Sequence, residues 1–199
     1  MSMENKLVIF DLDGVLIESK MMHYHVLNLA LEKIDRKYVI EYQDHVENYN
    51  GLPTLKKLEQ LTLTKQLPVE HYKFIQDEKQ SATIEWVKDL KLDQELVDMF
   101  KRIKANNTIA VASNSIRATV EQSLVSLGLI EFVDYYISNQ DVKNPKPDPE
   151  MFLRCMEELN FSAKDTIIIE DSPVGIQAAI SSGATLITVT GPEDLKNKL

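Results

Sequence analysis

The sequence predicts an α/β protein: a Rossmann-like parallel sheet whose chain is interrupted, after the first strand, by an all-helical insert. Three observations carry this. Lys6 to Phe10 contains four consecutive apolar residues rich in β-branched types, without alternation, the signature of a strand buried on both faces. Similar short runs recur at 108–112, 133–137, 166–169 and 185–189, separated by amphipathic helical stretches, and such alternation implies parallel strands joined by right-handed crossovers. From Glu18 to Ile84, by contrast, the periodicity is helical and no buried strand is evident.

Taken in order, Met1 to Glu4 is a ragged end and Lys6–Phe10 the first strand. In the insert, Met22, Val26, Leu29, Ala30 and Ile34 are expected on one face of a helix, and Leu52, Leu55, Leu58 and Leu61 on one face of another. Pro53 and Pro68 suit helix starts. The domain reading is therefore a core of residues 1–17 and 85–199 and a helical cap of residues 18–84, docked over the strand ends and hinged near 17–19 and 84–92. The core resumes with helix 94–104, buried through Leu96, Met99, Phe100 and Ile103, then strand 108–112, helix 116–127, strand 133–137, helix 149–159, strand 166–169, helix 174–182 and strand 185–189. Gly128 and Gly183 fit helix C-caps. The short, charged tail from Gly191 is expected to be mobile.

A chain of 199 residues can bury one sizeable core and a small second unit. No apolar run approaches the roughly 18 residues of a membrane span, and the start has no basic-then-apolar segment, so a cytoplasmic location without a membrane partner is expected. The formal net charge of −9 disfavours nonspecific attraction to nucleic acid, which rests on clustered Lys and Arg. A small anionic ester can still bind where local positive charge and a metal offset the global field. Cys155, the single cysteine, lies in an apolar-patterned stretch and reads as a buried small hydrophobe rather than a nucleophile.

The apolar run of the first strand stops at Asp11, with Asp13 two residues on and Gly14 after it. If the chain is still extended there, both carboxylates face one side, and two like charges held together call for a proton or a cation between them. A lone acidic turn has a plain reading as a strand leaving the core. Ligands of such sheets, however, gather at the carboxyl ends of strands, and three further polar groups stand at strand exits: Ser113-Asn114-Ser115, Glu170-Asp171-Ser172, and Lys146 in the loop Asn144 to Pro149. Singly, Ser113 reads as a helix N-cap, Lys146 as a solvated loop lysine, and Glu170 and Asp171 as favourable helix-start charges. Their joint placement is hard to obtain by accident.

These four segments, FDLDGV, the serine after an apolar strand, the lysine of KPxP, and Glu170 to Gly183 as EDSxxGxxAAxxxG, resemble the four motifs of the haloacid dehalogenase-like phosphohydrolase superfamily. The likeness runs from Lys6 to about Val189 and is nearest to members with a helical cap, such as phosphoglycolate phosphatase and beta-phosphoglucomutase. It implies strand order 5-4-1-2-3 and an aspartyl-phosphate mechanism. Asp11 is then the nucleophile and Asp13 the general acid and base. Mg²⁺ is the implied cofactor, held by the Asp11 carboxylate, the Asp13 carbonyl and Asp171 with Glu170 beside it. Ser113 and the Asn114 N–H hold phosphoryl oxygens, and Lys146 supplies balancing charge.

The cap is expected to choose the substrate. All four histidines lie there, but His23 and His25 point to nearly opposite faces of a helix and no cysteine supports them, so a second metal site is not expected. His23 is the cap residue matched to the family, and Lys56, with Lys57 beside it, is a candidate contact to a second anionic group. A tryptophan of beta-phosphoglucomutase is replaced by Leu27, and Asn50 to Thr54 is more like phosphoglycolate-type caps. The expected partner is thus a small phosphorylated metabolite, hydrolysed by a monomer or weak homodimer. The alternatives are a hexose-phosphate mutase and, from another class, a receiver-like phospho-accepting signalling module, in which the acceptor acid follows the third strand rather than the first.

Overall fold

A computed structural model of the chain describes residues 5–49 and 52–199. Two compact units emerge: Met1–Glu18 together with Val87–Leu199, and Ser19–Trp86.

In the first unit, strands β1 (Leu7–Phe10), β2 (Thr108–Ala112), β3 (Tyr135–Ile137), β4 (Thr166–Glu170) and β5 (Thr185–Thr188) form one parallel sheet in the order β3-β2-β1-β4-β5. This is the predicted 5-4-1-2-3 read from the other edge. β1 is central because all four of its residues are wholly buried, and Leu7 pairs with Thr108 on one side and Thr166 on the other. One face of the sheet, through Leu7, Ile9, Ala110 and Ile168, meets Met151, Phe152 and Cys155 of a helix over Glu150–Glu158 and Ala178 and Ala179 of a helix over Pro173–Ser182. On β1, Phe10 stacks its ring 4.8 Å from that of Phe100 in the helix Gln94–Lys104. Cys155 is buried as expected, and burial pushes its thiol up to about 12, out of reach of thiolate chemistry.

β3 starts later than the sequence pattern suggests. The Asp134 carboxylate, not a backbone carbonyl, accepts the Ile109 N–H at 2.9 Å, so a side chain replaces the first rung of the ladder. The tail is corrected more fully. Pro192–Lys198 is a helix whose Leu195 is wholly buried. Lys196 ties it down through Asp93 at 3.0 Å, Glu95 at 3.3 Å and Glu193 at 2.6 Å. A run that is mostly charged becomes ordered because one apolar residue and one lysine find long-range partners.

The second unit holds α1 (Lys20–Glu32), a short helical segment α2 (Tyr42–Asp44) continued by a wider turn over His45–Tyr49, α3 (Thr54–Lys65) and α4 (Tyr72–Lys88). Its core joins Leu27, Leu31, Tyr38, Ile40, Tyr49, Leu58, Leu61, Leu67 and Ile75. Both predicted stripes need correction. In α1, Leu29 is exposed, while Leu27 and Leu31 are buried with Met22, Val26 and Ala30. At α3, Leu58 and Leu61 are buried but Leu52 and Leu55 are exposed. A strict three-residue spacing lags the α-helical turn, so successive leucines rotate off one face. The position this vacates on the buried side is filled by Lys57. Asn50 and Gly51, which carry part of the predicted cap motif, lie outside the described residues.

Lys57 leaves a measurable trace. Burial, with the nearby Lys79 charge, pulls its ammonium from 10.5 down to about 8. The folded value lies below the unfolded one, so between these two pH values the unfolded state binds more protons and stability rises with pH. Urea unfolding is expected to show a gain of up to about 3 kcal/mol from pH 8 to 10.5, absent in Lys57→Met. Parallel pH profiles for the two proteins would contradict it.

Candidate active site

Asp11 follows the last residue of β1 and still donates its N–H to the Ile169 carbonyl at 3.0 Å, so the sheet ladder itself fixes where its side chain emerges. The carboxylate is buried. Its Oδ1 accepts from Lys146 Nζ at 2.6 Å; the same ammonium donates to Glu170 Oε1 at 2.6 Å and to the Ala112 carbonyl at 2.8 Å. Three contacts match the three hydrogens of an ammonium. Lys146 therefore bridges the ends of β1, β2 and β4, with its Nζ 4.8 Å above the Phe152 ring and only 4 % of the residue exposed.

Why a lysine from a loop reaches so deep is explained by Asn114. Its Oδ1 accepts the Lys146 N–H and its Nδ2 donates to the Lys146 carbonyl, both at 3.1 Å, so one side chain clamps both sides of the lysine's backbone. Asn139 in turn donates to the Asn114 carbonyl at 2.8 Å. At the same strand exit, buried Ser113 accepts the Ser115 N–H at 2.9 Å, and the Ser115 hydroxyl donates to Asp13 Oδ2 at 2.7 Å. The third exit is built around Glu170, which is wholly buried. Its Oε2 accepts from the N–H of Asp171 at 3.1 Å, the N–H of Ser172 at 3.3 Å and the Ser172 hydroxyl at 3.2 Å. Ser172 also caps the following helix by accepting the Gly175 N–H at 3.1 Å.

Two glycines are demanded by this crowding. A Cβ on Gly14, whose φ is +87°, would lie 2.2 Å from Asp171 Oδ2, and one on Gly175 would lie 1.9 Å from Glu170 Oε1. The acidic turn is shaped so that Asp171 closes over Gly14. Asp11, Glu170 and Asp171 each offer a carboxylate oxygen within 4.8 Å of the others. Three clustered carboxylates, two of them paired with the single Lys146 ammonium, leave a local excess of negative charge, and the donors are all hard oxygens. That set fits Mg²⁺ or a similar hard divalent ion and not the nitrogen and sulfur sites of zinc. The charge excess is visible in Asp11, whose pKa is raised well above the ordinary carboxylate range by burial first and then by Glu170 and Asp13, against the pull of Lys146. For Lys146, burial opposes the charged form but Asp11 and Glu170 outweigh it and raise its pKa, so it stays an ammonium.

The core residues named from sequence, Asp11, Asp13, Ser113, Asn114, Lys146, Glu170 and Asp171, thus lie on three neighbouring strand exits and the lysine loop, tied by the contacts above. His23 and Lys56 belong to the helical unit. His23 is half-buried in α1, and Lys56 is exposed and paired with Glu59 at 2.7 Å. Ser115, Asn139 and Ser172 were not assigned site roles from sequence. Ser115 and Ser172 carry a faint signal as hydroxyls one or two residues past a motif position. Asn139 carries none, because its partner is a backbone carbonyl distant in sequence.

A parallel sheet whose central strand ends in a buried aspartate, braced by a lysine and flanked by further acids, defines an α/β protein with a carboxylate centre at its strand ends. The particular family follows from comparison: the chain belongs to the haloacid dehalogenase-like hydrolases, whose family model matches residues 8–189. It is 30% identical over 182 residues to the phosphorylated carbohydrates phosphatase of Thermotoga maritima, covering 88% of this chain and 81% of that one. The fructose-1-phosphate phosphatase YqaB of Escherichia coli is 27% identical over 182 residues, 92% of this chain and 95% of its own. Among solved structures, beta-phosphoglucomutase of Clostridium difficile superposes with a TM-score of 0.79 at 25% identity, covering 96% of this chain and 87% of that one. Phosphoric monoester hydrolysis is the activity these phosphatase relatives share, and it is the class to which the chain is assigned. No helix among the described residues is long and apolar enough to cross a membrane.

Proposed function

We propose that the chain is a Mg²⁺-dependent phosphatase of small phosphorylated metabolites, sugar phosphates foremost, working through a phosphorylated Asp11. The observation that carries this is Asp11 itself: a buried carboxylate with one oxygen held by Lys146 at 2.6 Å, and Asp13 two residues on in the same turn. A carboxylate pinned through one oxygen presents the other at a fixed position, which is what in-line attack on phosphorus needs.

In the first half-reaction an Asp11 oxygen bonds to phosphorus as the bond to the leaving alcohol oxygen breaks, and Asp13 gives that oxygen its proton. In the second, Asp13 takes a proton from water, the water oxygen bonds to phosphorus, and the acyl-phosphate bond breaks to return Asp11 and release inorganic phosphate. Ser113 and the Asn114 N–H serve phosphoryl oxygens, and Lys146 offsets the charge that builds on them. Ser115 holds the Asp13 carboxylate toward the β2 exit through its 2.7 Å hydrogen bond. Asp11, Asp171 and the Asp13 carbonyl, with Glu170 beside them, would hold Mg²⁺, which would supply positive charge for the phosphoryl group. Glu170 spends one oxygen on Lys146 and the other on the turn amides, so its first task is to place those groups. The helical unit is read as a cap that selects the ester, and the cytoplasm as the place of action.

The relatives named for sugar-phosphate hydrolysis favour hydrolysis over phosphoryl return to a bound hexose. The test is phosphate release from sugar phosphates, phosphoglycolate and nucleoside monophosphates with Mg²⁺ and with chelator. Release that falls at least about 10²-fold in chelator is expected. Full activity in chelator would overturn the metal assignment, and turnover of a hexose phosphate only with added bisphosphate would favour the mutase.

A further inference from the structure

β2 and β3 leave the sheet side by side, with the Ser113 N–H still donating to the Ile137 carbonyl at 3.1 Å. Beyond that rung the turn after β3 grips the turn after β2. Asn139 donates its backbone N–H to the Ser115 carbonyl at 3.2 Å and its Nδ2 to the Asn114 carbonyl at 2.8 Å. Gln140 Oε1 accepts the Arg117 N–H at 3.0 Å, and Asp141 Oδ1 accepts from the Arg117 guanidinium at 2.7 Å. The gripping turn is itself fixed. Asp141 Oδ2 accepts the Ser138 N–H at 2.9 Å and the Ser138 hydroxyl at 2.5 Å, and Arg154 donates to the Asp141 carbonyl at 2.6 Å.

Among these contacts, those of Asn139 bear on the chemistry. The two carbonyls it holds belong to successive peptides. Between them stand Asn114, which clamps both sides of the Lys146 backbone at 3.1 Å, and Ser115, whose hydroxyl holds Asp13 Oδ2 at 2.7 Å. The peptide joining Asn114 to Ser115 is thereby fixed at both edges, its carbonyl by Asn139 and its N–H by the Ser113 hydroxyl at 2.9 Å. A planar unit held at both edges cannot swivel, so the side chains on either side of it are aimed together. A carbonyl only accepts, so it is the amide nitrogen of Asn139 that this position needs. We propose that Asn139, half-buried at the β3 exit, is a positioning residue for phosphoryl transfer, which sets the placement of Lys146 through Asn114 and the direction of Asp13 through Ser115. Its kinetic consequence rests on the phosphatase reading; its structural consequence does not.

The experiment compares the full chain with Asn139→Leu, which keeps the size but loses the donor, and with Asn139→Ala. In amide hydrogen exchange followed by NMR, the Lys146 N–H, held by Asn114 Oδ1, is expected to exchange about tenfold or more faster in both variants, while the amides of β1 keep their protection. In phosphate release, kcat should fall about tenfold or more with KM within about twofold of wild type, the pattern of lost alignment rather than lost binding. Gln140→Ala, which frees only the start of the neighbouring helix, should leave kcat within about twofold. In an Asn114→Ala background, Asn139→Leu should lower kcat by clearly less than it does alone, because the two residues share one clamp. Unchanged exchange at Lys146, faster exchange with kcat unaltered, or an equal fall in both backgrounds overturns the proposal. Failure of the wild type to hydrolyse any ester would overturn the phosphatase reading instead, and the exchange result would still decide whether Asn139 holds the clamp.

Discussion

Asp11→Asn is expected to lower phosphate release by at least about 10³-fold while leaving the melting temperature within a few degrees of wild type. The amide keeps the size and planarity of the carboxylate but carries no charge with which to attack phosphorus. Its structural cost is small for a specific reason. Asp11 is buried against Glu170 and Asp13, both of which disfavour its charged form, so a neutral side chain relieves repulsion. Lys146 then loses one acceptor and retains Glu170 and the Ala112 carbonyl. Phosphate release and a thermal melt on the same preparation check both halves. Rates like those of wild type would remove Asp11 as nucleophile.

Lys146→Met is expected to do the reverse, harming stability as well as turnover. The lysine is the shared counter-charge of two buried carboxylates, at 2.6 Å from each. Removing one partner of a buried ion pair leaves charge without compensation and costs about 3–5 kcal/mol, which for a chain of this size lowers the melting temperature by roughly 10 °C. Release of phosphate should fall about 10²-fold or more, because charge building on the phosphoryl oxygens loses a fixed cation. Denaturant unfolding beside the activity assay separates the effects. A variant within 1 kcal/mol of wild type, on the scale of a surface substitution, would show that the carboxylates do not depend on Lys146.

The contrast between these two residues shows where sequence reading succeeds. Asp11 was legible because it interrupts an unbroken apolar run: a strand covered on both faces leaves no doubt where it ends, and ligands collect at such ends. Lys146 was legible as a motif position, but its depth was not. That depth depends on Asn114 seizing the lysine's backbone from another strand exit, a contact between residues far apart in the chain.

The helical unit was harder for a related reason. Its leucines announced helices, yet which side faces inward depends on what each helix meets, so Leu55 turned out exposed and Lys57 buried. The tail failed in the same way, its charges pointing to solvent until Asp93 and Glu95 were found to receive Lys196.

The sequence by itself determined the sheet, the alternation of strand and helix, the interruption by helices and the set of polar residues at the strand exits. These follow from local rules, since burial on two faces, helical period and turn chemistry are written in neighbouring residues. Only the tertiary structure decided that Asn114 clamps the lysine loop, that Ser115 holds Asp13, that Glu170 is divided between Lys146 and the turn amides, and that Lys57 is buried in the helical unit. Most of these depend on groups brought together from distant parts of the chain by packing, and no local pattern encodes where such partners meet.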